Sequence, residues 1–63
     1  MNNFFTGLAA TYLINSADIL DRCYKDALYS GHLLAAEEIC KLAYSNRMEA
    51  FKLLITHQYL TNR

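Results

Sequence analysis

The chain of 63 residues contains no proline and no tryptophan, and it has only two glycines and two cysteines. Without proline, and with glycine only at Gly7 and Gly31, few positions force the backbone out of a helix. Sustained alternation of polar and apolar residues is also missing, so no segment has the pattern of a β-strand. Two cysteines are too few for a disulfide framework. The sequence therefore predicts an all-α protein.

An excess of charge of one sign is missing as well, because six Lys and Arg residues balance six Asp and Glu residues. Phosphate neutralisation by basic side chains supplies much of the affinity of nucleic-acid-binding proteins, so a nucleic-acid partner is disfavoured. No stretch reaches the ~18 apolar residues of a membrane span. The apolar run 4–14 lacks the basic segment of a signal peptide. We expect a cytoplasmic protein that does not enter a membrane.

Three polar pairs interrupt the helical pattern at regular intervals, namely Asn15-Ser16, Ser30-Gly31 and Ser45-Asn46. Ser and Asn favour the N-cap position of helices, and Glu49 follows Asn46 with the spacing of a capping box. Gly31 can adopt the left-handed conformation that ends a helix. The pattern predicts a single helical domain over 1–63. The predicted fold of this domain is a small compact bundle of three to four short helices, at about 3–14, 17–29, 32–44 and 47–61.

A second architecture is compatible with the same residues. Only Gly31 is a strong break, because Ser and Asn inside a helix cost a few tenths of a kcal/mol each. Two long helices, 4–30 and 32–62, would then form a hairpin at Gly31. Such hairpins commonly dimerise into four-helix bundles.

No catalytic, cofactor or metal site is predicted. The plausible soft metal ligands do not form the close pairs of structural zinc sites, and they are Cys23, His32, Cys40 and His57. Both cysteines lie in apolar helical stretches and are predicted to be buried free thiols. The glycines are isolated, so no glycine-rich loop could hold a phosphate. We expect a protein that is not an enzyme.

Apolar residues exceed what one small core can bury. They make up 54% of the chain, whereas about 45–50% is usual. No charged side chain precedes Asp18, so the first helix has apolar surface that the rest of the chain or a partner must bury. Near the C-terminus, helical spacing separates a predicted core stripe from two leucines on nearly the opposite side. The stripe contains Met48, Phe51, Ile55 and Tyr59, and the two leucines are Leu53 and Leu60.

These features predict a small helical protein-protein interaction module that acts as a regulator, inhibitor or adaptor through apolar helix faces. It is also expected to self-associate as a homodimer. Tyrosine suits binding surfaces, and Tyr29 projects from a polar face beside the Gly31 turn. The candidate partner-binding residues are Phe4, Phe5, Tyr29, Leu53, His57 and Leu60.

The alternative function is a small helix-turn-helix regulator that binds nucleic acid. The Ser45-Asn46 pair would form its turn, and Arg47 would begin its recognition helix. That helix carries only Arg47 and Lys52 as cations before its end, with Glu49 between them. Few phosphate contacts are therefore expected.

Overall fold

The computed structural model describes the backbone of residues 3–61 and the side chains of residues 4–56. Two helices, α1 (Asn3–Tyr29) and α2 (Leu33–Thr61), form an antiparallel hairpin. Its Cα atoms extend over 49 × 14 × 12 Å. Residues 3–61 contain no strand, so the all-α prediction is confirmed. The prediction of three to four short helices in a compact bundle is wrong, and the hairpin is the architecture of the two-helix alternative.

The polar pairs at 15–16 and 45–46 lie inside the helices and do not break them. Each Ser or Asn costs only a few tenths of a kcal/mol in a helix. A break would instead leave four N–H and four C=O groups without helical partners on its two sides. Ser16 and Asn46 are half-buried, so continuous helices also keep these positions packed.

The turn between the helices is formed where glycine permits it. Gly31 has φ of 81°, in the left-handed region. Its N–H donates to the Leu28 carbonyl at 3.1 Å, and the His32 N–H donates to the Ala27 carbonyl at 2.9 Å. These two bonds are the Schellman pattern that ends a helix. The prediction that Gly31 terminates a helix with a positive φ is confirmed.

Alanine forms the contact between the helices. The described hydrophobic residues that are buried are all alanines, and they recur seven residues apart within each helix. Seven residues are close to two helical turns, so each set lies along one side of its helix. We call this contact the alanine seam, and it consists of Ala10 and Ala17 in α1 and Ala36, Ala43 and Ala50 in α2.

Half-buried residues extend the seam at spacings of three and four. Leu13 and Leu20 do so in α1, and Ile39 and Leu53 do so in α2. Leu53 therefore lies beside the seam, although the sequence placed it on an outward face. The three described residues of the predicted core stripe are exposed instead, namely Met48, Phe51 and Ile55. The predicted inner and outer faces of this segment are therefore reversed. The reason is that α2 is one continuous helix, whose inner side runs from Ala43 to Ala50.

Candidate functional site

One side of the hairpin carries a row of residues from each helix next to the seam. In both rows the members are seven residues apart, which keeps them on the same side of the helix. We call this surface the groove face. Its α1 row is Ile14, Asp21 and Leu28, and its α2 row is Leu33, Cys40, Arg47 and Leu54.

Two cavities open on the groove face. The larger has a volume of about 560 Å³, lies near the turn and is bounded by both helices. Its lining is mostly apolar and includes Leu28, Leu33, Cys40 and Tyr44, together with the ion pair of Glu37 and Lys41. The smaller has a volume of about 300 Å³ and is lined by Ile14, Arg47, Ala50, Phe51 and Leu54. Concave apolar surface of this kind is typical of binding sites.

A charged cluster lies between the apolar ends of the groove face. The Arg47 guanidinium donates from Nη2 to Asp18 Oδ1 at 2.9 Å and to Asp21 Oδ2 at 2.6 Å. Its Nη1 donates to Asp21 Oδ1 at 3.3 Å, so Asp21 receives a two-pronged contact. Arg47 is the middle residue of α2. The cluster therefore joins the two helices halfway along the hairpin.

The electrostatics of the cluster favour its charged form. The hydrogen bond from Arg47 is the main cause that lowers the pKa of the Asp21 carboxyl, against an opposing effect of burial. The hydrogen bonds to Asp21 and then to Asp18 raise the pKa of Arg47. Because Arg47 holds two carboxylates, this cation is already engaged within the hairpin.

The opposite side of the hairpin is less apolar along α2. Ile19 and Leu42 lie there. Ile19 is nine residues before Leu28, and Leu42 is nine residues after Leu33. Nine residues are two and a half helical turns, which places each pair on opposite sides of its helix. Between Leu42 and the C-terminal end of α2, Glu49 and Lys52 form an exposed ion pair of 3.7 Å. Exposed pairs of this kind contribute little to stability. This side is therefore the better suited of the two to contact with water.

The candidate partner-binding residues are dispersed along the hairpin. Phe4 and Phe5 are exposed and contact each other edge to face, with ring centroids 5.3 Å apart. Tyr29 is 88% exposed beside the turn, at the other end of α1. Leu53 is half-buried beside the seam. The side chains of His57 and Leu60 lie outside the described residues.

The predicted burial of the cysteines is wrong. Cys23 and Cys40 are both free thiols, and both are exposed. Their neighbours Tyr24 and Ile39 occupy the half-buried positions beside the seam instead. A two-helix contact buries only a narrow strip of each helix, whereas the expected bundle would have covered a broader one.

The sequence prediction did not include the groove face, although the spacing of its residues is present in the sequence. Ile14 and Leu28 are fourteen residues apart with Asp21 between them, and the α2 row repeats at seven. This spacing becomes visible only when each long helix is treated as one element. Division into short helices separates Leu33 and Cys40 from Arg47 and Leu54.

Within the part of the chain that the structure describes, no three His, Cys, Asp or Glu side chains converge on a possible metal position. Neither helix, over its described residues, combines the length and apolar character of a membrane span. Comparison of the chain with protein-family models, with curated proteins and with solved structures returns no match.

Proposed function

We propose that this chain is a protein-interaction module that regulates, inhibits or adapts a partner through the groove face. The observation that carries the proposal is the composition of the core. The buried hydrophobic residues among those described are alanines, whereas leucines and aromatic residues are exposed along the hairpin. Burying one large apolar side chain contributes about 1.5–3 kcal/mol, so covering several of them is favourable.

The shape of the groove face favours a helical partner. Its apolar rows run parallel to the helix axes and repeat at seven residues, and an amphipathic helix presents side chains at matching intervals. The two cavities would receive large side chains from such a helix. The candidate residues Phe4, Phe5 and Tyr29 are exposed near the ends of α1. Of these, Phe4 lies fourteen residues before Asp18, on the side of the groove face, and would extend this contact.

The helix-turn-helix interpretation has no comparable support. Ser45 and Asn46 lie inside α2, where that interpretation requires a turn. Arg47, its first cation, is paired with Asp18 and Asp21.

A cytoplasmic location fits the two thiols. Cys23 and Cys40 are exposed and unpaired. Exposed free thiols persist in reducing compartments and are oxidised or paired elsewhere. We therefore place the interaction in the cytoplasm.

The proposal is tested by comparing two double variants as baits. Leu28→Glu with Leu54→Glu adds charge to the groove face, whereas Ile19→Glu with Leu42→Glu adds equal charge to the opposite side. Immobilised wild type and both variants are incubated with a lysate of the source organism, and bound proteins are quantified by mass spectrometry. We expect proteins that bind the wild type and the opposite-side variant but not the groove variant. Identical protein profiles on all three baits would overturn the proposal.

A further inference from the structure

The groove face has its interhelical charged cluster between two largely apolar ends, and the ion pair of Lys41 and Glu37 borders the cavity near the turn. Asp21 is the only charged member of the α1 row, and Arg47 is the only charged member of the α2 row. The two residues bind each other and Asp18 also binds Arg47, so the cluster keeps one net negative charge. The other members of the two rows are apolar side chains and one thiol, and a partner that covers them would bury apolar surface.

We propose that a second copy of this chain covers the groove face, forming a four-helix bundle around a two-fold axis. The clusters of Arg47, Asp18 and Asp21 from the two copies then meet at its centre. This inference rests on the proposed function and names the partner of that same surface. Two-fold homodimers are the commonest closed assemblies of soluble proteins.

The position of the cluster argues for a second copy as the occupant. Placing Arg47 and Asp21 against apolar side chains would remove water from charged groups without replacing its hydrogen bonds. The cluster lies halfway along the hairpin, so two copies in register bring one cluster against the other. This holds whether the two-fold axis, which lies in the plane of the interface, runs along the helices or across them. Arg47 of each copy then also has Asp18 of the other copy as a possible acceptor.

The accessible area agrees with an interface of ordinary size. The hairpin exposes 4941 Å² at a mass of 7.2 kDa. A compact monomer of that mass would expose about 4,100 Å². The excess follows from the elongated shape of 49 × 14 × 12 Å, which offers a long side for contact. A stable complex typically buries about 800 Å² on each partner. Covering one side with a second hairpin would remove a surface of that magnitude.

Each side of the hairpin carries an exposed ion pair on α2, Lys41 with Glu37 at the larger cavity and Lys52 with Glu49 on the opposite side. Glu49 and Lys52 are each two residues from a member of the α2 row, about 160° around the helix. The side chain of Glu49 is 58% exposed and that of Lys52 is 68% exposed. In the proposed bundle this pair remains in water, while the apolar rows do not.

Sedimentation equilibrium of the purified full chain tests the inference. We expect a species of twice 7.2 kDa at micromolar concentration. Leu28→Glu should raise the dissociation constant by about a hundredfold or more, because a two-fold interface contains the change twice. Ile19→Glu is the matched control, since Ile19 is 55% exposed against 42% for Leu28. It should leave the dimer unchanged, and circular dichroism should show equal helix content in both variants.

A third variant tests the charged centre itself. Arg47→Gln leaves Asp18 and Asp21 of both copies without their cation, and we expect the dissociation constant to rise about tenfold or more. A wild-type monomer from micromolar to millimolar concentration would overturn the second-copy inference, as would equal weakening by Leu28→Glu and Ile19→Glu. The bait comparison is read independently, so a foreign partner would still appear there if only the dimer fails.

Discussion

At the scale of single residues, Gly7 and Gly31 are one residue type in two backbone conformations. Gly7 lies inside α1, and a Cβ atom at this position would have no heavy atom within 4 Å beyond its chain neighbours and the nearby backbone of its own helix. Gly31 has equally open space but a φ of +81°. Space is therefore the same at both positions, and only the backbone angle differs.

We expect Gly7→Ala to stabilise the hairpin by about 0.5–1 kcal/mol, because alanine loses less backbone entropy on folding into a helix. Gly31→Ala should destabilise it by about 1–2 kcal/mol, because an L-residue is strained in the left-handed region. Urea denaturation followed by circular dichroism measures both. A neutral Gly31→Ala would mean that the turn adopts another conformation.

The Asp21 carboxyl predicts a dependence of stability on pH. Its pKa is lowered in the folded chain, mainly by the hydrogen bond from Arg47. The interaction therefore stabilises the fold fully above the ordinary value of 3.8, and the stabilisation is lost as pH falls through the lower folded value. Asp21→Asn should remove this part of the acid sensitivity.

The measurement is the urea midpoint at pH 7 and at pH 3 for the wild type, Asp21→Asn and Asp26→Asn. Asp26 is an exposed carboxylate elsewhere on α1 and serves as the control. The wild type and Asp26→Asn should lose more stability on acidification than Asp21→Asn does. Equal losses in all three proteins would show that the Arg47 contact does not contribute to folding.

At the scale of the helices, the alanine seam determines which sides face each other. Ala17 is fully buried, and Ala43 retains only 2% of its exposure. Alanine has no side chain beyond Cβ, so the two backbones can approach closely. Larger residues at the half-buried positions, such as Leu20 and Ile39, then fill the edges of the contact.

Ala43→Leu should destabilise the hairpin by about 1–3 kcal/mol, because the added methylene groups would force the helices apart. Ala35→Leu is the matched control on the same helix, since Ala35 is exposed. It should change the free energy of unfolding by less than about 0.5 kcal/mol. Thermal and urea unfolding measure both. Equal effects of the two substitutions would contradict the seam.

Helical periodicity, the missing proline and the Gly31 turn were enough to predict the fold class and the main break. The predicted number of helices is wrong because the N-cap preference of Asn15 and Asn46 does not outweigh the continuity of a seven-residue repeat. Capping preferences operate only where a helix already begins. The spacing from Ala36 through Ala43 to Ala50 crosses the supposed break and contained the decisive information.

At the scale of the whole molecule, the hairpin is a single layer of two helices, and no large side chain among residues 4–56 is fully buried. An excess of apolar surface was predictable from the composition and the short chain. Its location was not, because the inner side of each helix depends on which helix it packs against. The sequence predicts that Leu53 faces outward and Phe51 inward, whereas in the structure Leu53 is half-buried and Phe51 is exposed.

The central claim is that the groove face is the covered side, and the chain's two cysteines test it without any substitution. Cys40 belongs to the groove face, whereas Cys23 lies five residues before Leu28, about 140° around α1. Both thiols are exposed in the single hairpin.

The measurement is the rate of alkylation of each thiol by iodoacetamide, followed by peptide mass spectrometry over a range of protein concentrations. Raising the concentration should slow the reaction of Cys40 and leave that of Cys23 unchanged, and urea should abolish the dependence on concentration. A Cys40 rate that does not change with concentration, or protection of Cys23 instead, would contradict the account.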